Sequence, residues 1–203
     1  MLTIDNLSLF KNHKKIFESI GFSVALGSAL IINGKNGSGK TSLLKILAGI
    51  SKQSAGKIFW SDMDVEKIRD DFSGDLQFLG HKNFLKQELT VEENLRFYAK
   101  LSDSEILIPA ALSFFKLENL AHEKVKKLSA GWQKKVMLSK LLCCPATLWF
   151  LDEPSESLDK EAKERLCGLI ETKIKDGKGL VVIATHDEIF SKLGPVIMME
   201  DFV

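Results

Sequence analysis

The stretch GKNGSGKT runs through Gly34, Lys35, Asn36, Gly37, Ser38, Gly39, Lys40 and Thr41, with Ser42 following. Its spacing, G-x-x-x-x-G-K-[ST], suits a chain of phosphates. The glycines let successive backbone N–H groups turn inward, and a helix starting near Gly39 aims its positive end at the anion. Lys40 can reach the terminal phosphates, and Thr41 can offer its hydroxyl to Mg²⁺. A glycine-rich linker is the bland reading, and the flanks argue against it: SALIING before the loop reads as a strand, and Leu43, Leu44, Leu47 and Ala48 after it read as a helix.

A second group lies in LWFLDEP, Leu148 to Pro154, where an apolar strand ends in two acids. Asp152 is placed to meet Mg²⁺ directly or through water, and Glu153 to polarise an attacking water. An acidic turn after a strand is common, so this signal gains its weight from the phosphate loop upstream. His186, directly after GLVVIAT, is the third candidate. If its strand lies beside the one ending at Asp152, the ring can hydrogen-bond a terminal phosphate and orient water. The fourth stretch, LSAGWQKK at 128–135, has no base or nucleophile of its own. Ser129 reads as the N-cap of an amphipathic helix, and the N–H groups near Gly131 as an anion site.

The elements that must position these residues follow from the pattern along the chain. LTIDNLSLF, IGFSVAL and SALIING read as short strands parted by a polar KNHKK turn, and GKIFW and DLQFL as further strands. From Thr90 to Leu142 the signal is almost wholly helical, with TVEENL opening a helix on acidic residues. Beyond it, ATLWFL, GLVVIAT and PVIMME read as strands, and Ala162, Leu166, Leu169, Ile170 and Ile174 line one helix face. This alternation predicts a mostly parallel sheet wrapped by helices, with a helical subdomain projecting from it.

Composition sets the outer bounds. The 203 residues, 45% hydrophobic and 27% charged, suit one globular domain. A net charge of +1 gives no nucleic-acid footprint and no polybasic membrane anchor. The apolar run LLCCPATLWFL is broken by Pro145 and falls short of the roughly 18 to 20 residues that a span needs. The N-terminus lacks the pattern of a signal peptide, so membrane attachment is expected through a partner. Cys143, Cys144 and Cys167 are odd in number and lack CxxC spacing, which suits reduced thiols. Cys144–Pro145 is a pair of the kind that can ligate haem iron, but a helix-ending proline before a strand explains it more simply.

Taken in order, these motifs resemble those of the ATP-binding-cassette ATPases over nearly the whole chain. GKNGSGKT resembles their Walker A loop, LWFLDEP their Walker B strand with a catalytic glutamate, ESLD their D-loop ending in Asp159, and His186 their switch histidine. LSAGW takes the place of the signature motif, usually LSGGQ, so Trp132 replaces a glutamine. The Q-loop position falls on His81, with Gln77 and Gln87 the nearest glutamines. The aromatic residue expected to stack on adenine is not evident, since spacing gives Lys11, beside Phe10 and near His13.

The stretches LGHKNFLKQELTVEENLRFYAKL and LSAGWQKK further resemble the ATP-binding subunit of the bacterial haem exporter used in cytochrome c biogenesis. The resemblance implies a P-loop α/β fold of the ABC ATPase type: a RecA-like core, an N-terminal antiparallel β subdomain and a helical subdomain. Residues 1–83 and 144–203 would form the core with the β subdomain, and about 84–143 the helical part. It implies ATP and Mg²⁺ as ligands, with Glu153, His186 and Lys40 catalytic and Thr41 and Asp152 on the metal. It implies a homodimer in the ATP-bound state, in which Ser129, Ala130 and Gly131 meet the partner's nucleotide, docked on integral membrane subunits at the cytoplasmic face of the bacterial inner membrane. No contact with nucleic acid or with the transported ligand is expected. Phe84, Leu85, Phe97, Tyr98, Phe114 and Phe115 are the candidate docking surface, although ordinary subdomain core is the preferred reading for such aromatics. The ATPase of another transporter, a soluble cassette ATPase and a nucleotide-binding module without turnover stay open as alternatives.

Overall fold

The computed structural model describes residues 1–80 and 84–203, so His81 lies outside the described residues. In chain order the elements are β1 (Leu2–Lys11), β2 (Lys14–Val24), β3 (Ser28–Asn33), α1 (Lys40–Leu47), β4 (Ala55–Trp60), β5 (Met63–Asp64), α2 (Arg69–Gly74), β6 (Leu76–Leu79), α3 (Val91–Ala99), α4 (Ile108–Phe114), α5 (Ala130–Cys143), β7 (Leu148–Asp152), α6 (Lys160–Lys175), β8 (Leu180–Ala184) and β9 (Val196–Met198). They build an antiparallel sheet in the order β2-β1-β4-β5 and a parallel one in the order β6-β7-β8-β3-β9.

The turn expected over KNHKK is narrower than its polarity suggests. Asn12 and His13 alone form it, at φ 49° and 61°, while Lys14 and Lys15 already belong to β2. A two-residue hairpin turn with both centres left-handed matches the twist of the flanking strands, and asparagine tolerates that conformation well.

Every residue of β7 and β8 is buried, and their alternation serves two cores. Leu148, Phe150, Leu180, Val182 and Ala184 join Leu30 and Ile32 on the side of α1 and the antiparallel sheet. Trp149, Leu151, Val181 and Ile183 join Ala29 and Ile31 on the side of α3 to α6. Burial on both faces is why these strands read as continuous apolar runs. The same alternation turns Asp152, two residues beyond Phe150, toward α1.

The segment read as almost wholly helical is only partly so. Lys116 turns left-handed after α4, at φ 58°, and the chain then makes only two 3₁₀ turns, Glu118–Leu120 and Val125–Lys127, before Ser129. α3 opens on a capping box: Thr90 Oγ1 accepts from the Glu93 N–H and the Glu93 carboxylate accepts from the Thr90 N–H, an arrangement worth about 1 kcal/mol. α5 ends at Cys143, with Cys144 extended ahead of Pro145, as a proline that can neither continue a helix nor follow one directly requires. Among the described residues no helix is long and apolar enough to cross a membrane.

Candidate functional site

β3, β7 and β8 end at the same edge of the parallel sheet, the place where open α/β sheets bind ligands. Outside these ends lies a cleft of about 480 Å³. Lys35, Asn36, Gly37 and Gly39 to Ser42 form one wall, Glu153, Glu156 and His186 the other, and Ile16 an edge. β7 and β8 are neighbours with Asp152 paired to Ala184, so the acid pair and His186 leave adjacent strands.

The loop is shaped for an anion. Gly39 caps α1 at φ 97° with no side-chain cap, which leaves the first N–H groups of the helix open to a ligand. A Cβ at Gly39 would be strained at that φ and would approach Ile16 Cγ2 to 2.9 Å. Ser38 Oγ is buried with no hydrogen-bond partner among the described residues. Burying a hydroxyl unsatisfied costs about 1–3 kcal/mol, a cost that a phosphate oxygen would relieve. Glu200, from the C-terminal turn, accepts from the Lys35 N–H at 2.8 Å and pins the loop's start. That backbone bond holds its carboxyl below the usual range.

Lys40 is 6% exposed, and Nζ donates to the carbonyls of Gly34 at 2.6 Å and Lys35 at 3.3 Å. It also lies 3.5 Å from Glu153 Oε1. Thr41 Oγ1 donates to Asp152 Oδ1 at 3.0 Å. A hydroxyl and a buried carboxylate side by side fit Mg²⁺, which takes hard oxygens and needs only one or two from protein when phosphates supply others.

Glu153 is held on every side. Its backbone is left-handed, φ 45°, its N–H donates to the Ala184 carbonyl at 2.8 Å, and its own carbonyl accepts from Lys134 Nζ at 2.9 Å. Oε2 accepts from Thr185 Oγ1 at 3.2 Å and lies 3.1 Å from His186 Nδ1. Lys40, Glu153 and His186 thus meet in one cleft although the first and last lie 146 positions apart in the sequence.

The other candidates stand apart from that cleft. Ser129 caps α5, its Oγ accepting from the Trp132 N–H at 3.5 Å. Gly131 packs so closely on the loop after β7 that an added Cβ would come within 2.8 Å of the Ser157 carbonyl oxygen. Asp159 caps α6 through the Ala162 N–H at 2.8 Å and pairs with Lys135 Nζ at 2.6 Å. Lys135 Nζ in turn lies 4.4 Å from the centre of the Trp132 ring. Trp132, the residue that departs from the signature pattern, is half-buried against the helical core and carries the lysine that pairs with Asp159. Ser129, Ala130, Gly131 and Asp159 do not line the cleft.

Some residues weighed in the sequence are engaged elsewhere. Gln77 donates to the carbonyls of Lys140 and Cys144 at the C-terminal end of α5, and Gln87 donates to the Leu85 carbonyl. Phe10, Lys11 and His13 do not line the cleft, whereas Ile16 does. Ile16, Glu200 and Lys134 are the participants that motif spacing misses. The cap that Asp159 gives α6 is a further role that motif spacing misses, although it has a local signal, an Asp directly before an apolar-periodic helix.

Fold and site together define an ATP-binding cassette of the P-loop α/β type. The chain belongs to the ABC transporter family, whose model matches residues 17–156, and within it to the cytochrome c biogenesis ATP-binding export proteins. It is 38% identical over 194 residues to the cytochrome c biogenesis ATP-binding export protein CcmA of Vibrio vulnificus (strain YJ016), covering 94% of each chain. To the protein of that name from Rickettsia bellii it is 35% identical over 199 residues, covering 98% of this chain and all of the other. Among solved structures, an ABC transporter ATP-binding protein from Pyrococcus furiosus superposes with a TM-score of 0.86 at 26% identity, over 99% of this chain and 98% of that one. A dimeric ATP-binding cassette in a post-hydrolysis state with ADP and Pi matches in fold, with a TM-score of 0.85 at 22% identity, over 98% and 94%.

Proposed function

We propose that this chain is the ATP-hydrolysing subunit of a membrane exporter that supplies haem for c-type cytochrome assembly. The observation that carries hydrolysis is the contact of Lys40 and His186 with the Glu153 carboxylate at the mouth of the phosphate loop. In this reading Gly34 to Ser42 hold the nucleotide phosphates, and Lys40 leaves its carbonyl partners for the β- and γ-phosphates. Glu153, released from Lys40, accepts a proton from the attacking water, and His186 orients that water against the γ-phosphate. Mg²⁺, held by Thr41 and Asp152, would neutralise charge on the phosphates. Ile16 offers an apolar edge to the base in place of a stacking aromatic.

The sharing of one nucleotide by two subunits rests on the start of α5. Ser129, Ala130 and Gly131 present a capped helix N-terminus outside the cleft of their own chain, suited to the partner's γ-phosphate in an ATP-bound homodimer. The catalytic core would span 1–83 and 144–203 and the helical part about 84–143. Phe84 is 65% exposed and Phe97 43%, whereas Leu85 and Phe115 are buried. The first two remain candidates for docking on integral membrane subunits at the cytoplasmic face of the bacterial inner membrane, and the latter two are core. The subunit would power transport without touching the ligand.

Gene deletion followed by cytochrome spectra tests the assignment. Loss of c-type cytochromes with b-type retained is expected, restored by the wild-type gene and not by a Glu153→Gln copy. Normal c-type content in the deletion would overturn it.

A further inference from the structure

Lys134 is a charged side chain that the nucleotide chemistry leaves unused. It lies in α5 five residues beyond Ser129, about 7.5 Å along the helix axis, and is only 9% exposed. Enclosing an ammonium is costly unless something compensates. Burial pushes its pKa down, against the opposing pull of Glu156, Asp152 and Glu153. Its hydrogen bond goes to the Glu153 carbonyl oxygen at 2.9 Å, part of the residue proposed to activate water.

Glu153 needs such support. A left-handed backbone at a residue other than glycine costs about 1 kcal/mol or more and persists only where its surroundings enforce it. The Ala184 carbonyl restrains its N–H from β8, and Thr185, His186 and Lys40 restrain its carboxylate from the sheet edge and the phosphate loop. Lys134 adds a restraint from the helical layer. The neighbouring Lys135 fastens the same helix to Asp159 at the far end of the same loop. Two consecutive lysines of α5 thus grip both ends of the segment 153–159, with Gly131 seated on Ser157 between them. A helix is stiff over one and a half turns, so displacement at Ser129 reaches Lys134.

We propose that Lys134 is a positioning residue through which the Ser129 end of α5 sets the geometry of Glu153 in the same subunit. Resting on the reading of the site given above, this makes the partner's nucleotide, once seated on Ser129 to Gly131, an activator of this subunit's own hydrolysis. The two ATP sites of the dimer are then coupled through the hydrogen bond from Lys134 to the Glu153 carbonyl.

Steady-state ATPase kinetics and nucleotide binding on the purified full chain test this with Lys134→Met, which keeps buried length without a donor, and Lys134→Arg, which keeps a charged donor. The expected result for Lys134→Met is a kcat lower by at least about tenfold, on the scale of a misplaced catalytic group. KM for ATP should stay within about twofold and the Hill coefficient fall toward one, with Lys134→Arg recovering most of both. If Lys134→Met does not fold, Lys134→Leu, which also lacks a donor, takes its place with the same expectation. Wild-type kcat and cooperativity in the neutral variant would overturn the proposal, as would failure of Lys134→Arg to restore them while it folds and binds ATP normally. Glu153→Gln assayed in parallel separates the two levels. Retained hydrolysis there would overturn the reading of the site itself, whereas its loss beside an unaffected Lys134→Met would overturn the coupling alone.

Discussion

Lys40 Nζ lies 3.5 Å from Glu153 Oε1 while donating to the Gly34 carbonyl at 2.6 Å. The proposed mechanism needs these two groups on opposite sides of a phosphate, and here they neutralise one another. Under that proposal nucleotide entry exchanges the carboxylate for a phosphate at the same ammonium, which would leave Glu153 free to act as a base.

Replacing Lys40 by Met removes the charged donor proposed for the phosphates. Such bonds are worth about 1.5–3 kcal/mol, so binding of a fluorescent ATP analogue should weaken by at least about tenfold. Wild-type affinity would show that the lysine remains with its loop carbonyls when nucleotide is bound.

Glu153→Gln keeps the shape and an acceptor for the Thr185 hydrogen bond but removes the proposed base. Hydrolysis should fall by about 10²–10⁴-fold. The ATP-dependent dimer should persist or strengthen, read by light scattering after size exclusion. Unchanged turnover would remove Glu153 from its role.

Ser129→Arg places bulk and an unpaired charge at the start of α5. The ATP-induced dimer should weaken by at least about a hundredfold, because enclosing an unpaired charge costs several kcal/mol, while ATP still binds the monomer. Gly131→Ala acts differently: its methyl meets the Ser157 carbonyl oxygen at 2.8 Å, so overpacking should cost about 1–3 kcal/mol in urea denaturation of the monomer itself.

The Lys135 ammonium and the Ala162 N–H hold the Asp159 carboxyl below its ordinary value of 3.8. A carboxyl lowered by folding contributes stability that is complete above its unfolded pKa and lost as pH falls through the folded one. Asp159→Asn keeps a cap for α6 but loses the ion pair. The gap between wild-type and variant denaturation midpoints should thus be open at pH 7 and close below about pH 4. A gap independent of pH would show that the ion pair with Lys135 contributes nothing.

Much of this was legible in the sequence because the information is local. The phosphate loop depends on glycines at fixed offsets within eight residues, and the cap of α3 on a Thr and a Glu three apart. The buried strands β7 and β8 depend on unbroken apolar runs. The resemblance of five motifs in order reached the family, because motif order survives where overall identity is modest. The 3₁₀ turns after α4 were not legible, since helical composition alone does not reveal that Lys116 turns left-handed.

What the sequence determined, then, is which residues can do phosphate chemistry and which family carries them. What only the tertiary structure decided is who holds them in place. Ile16 reaches the cleft from the antiparallel sheet, Glu200 pins the loop from the C-terminal turn, and Lys134 reaches Glu153 from the helical layer. Trp132, which departs from the expected motif, carries Lys135 and through it Asp159. Apart from Trp132 and Lys135, neighbours one turn apart on α5, these contacts join residues 19 to 165 positions apart, and no periodicity or spacing encodes them. They exist because two cores press on opposite faces of one sheet and bring separate layers together at the ends of β3, β7 and β8.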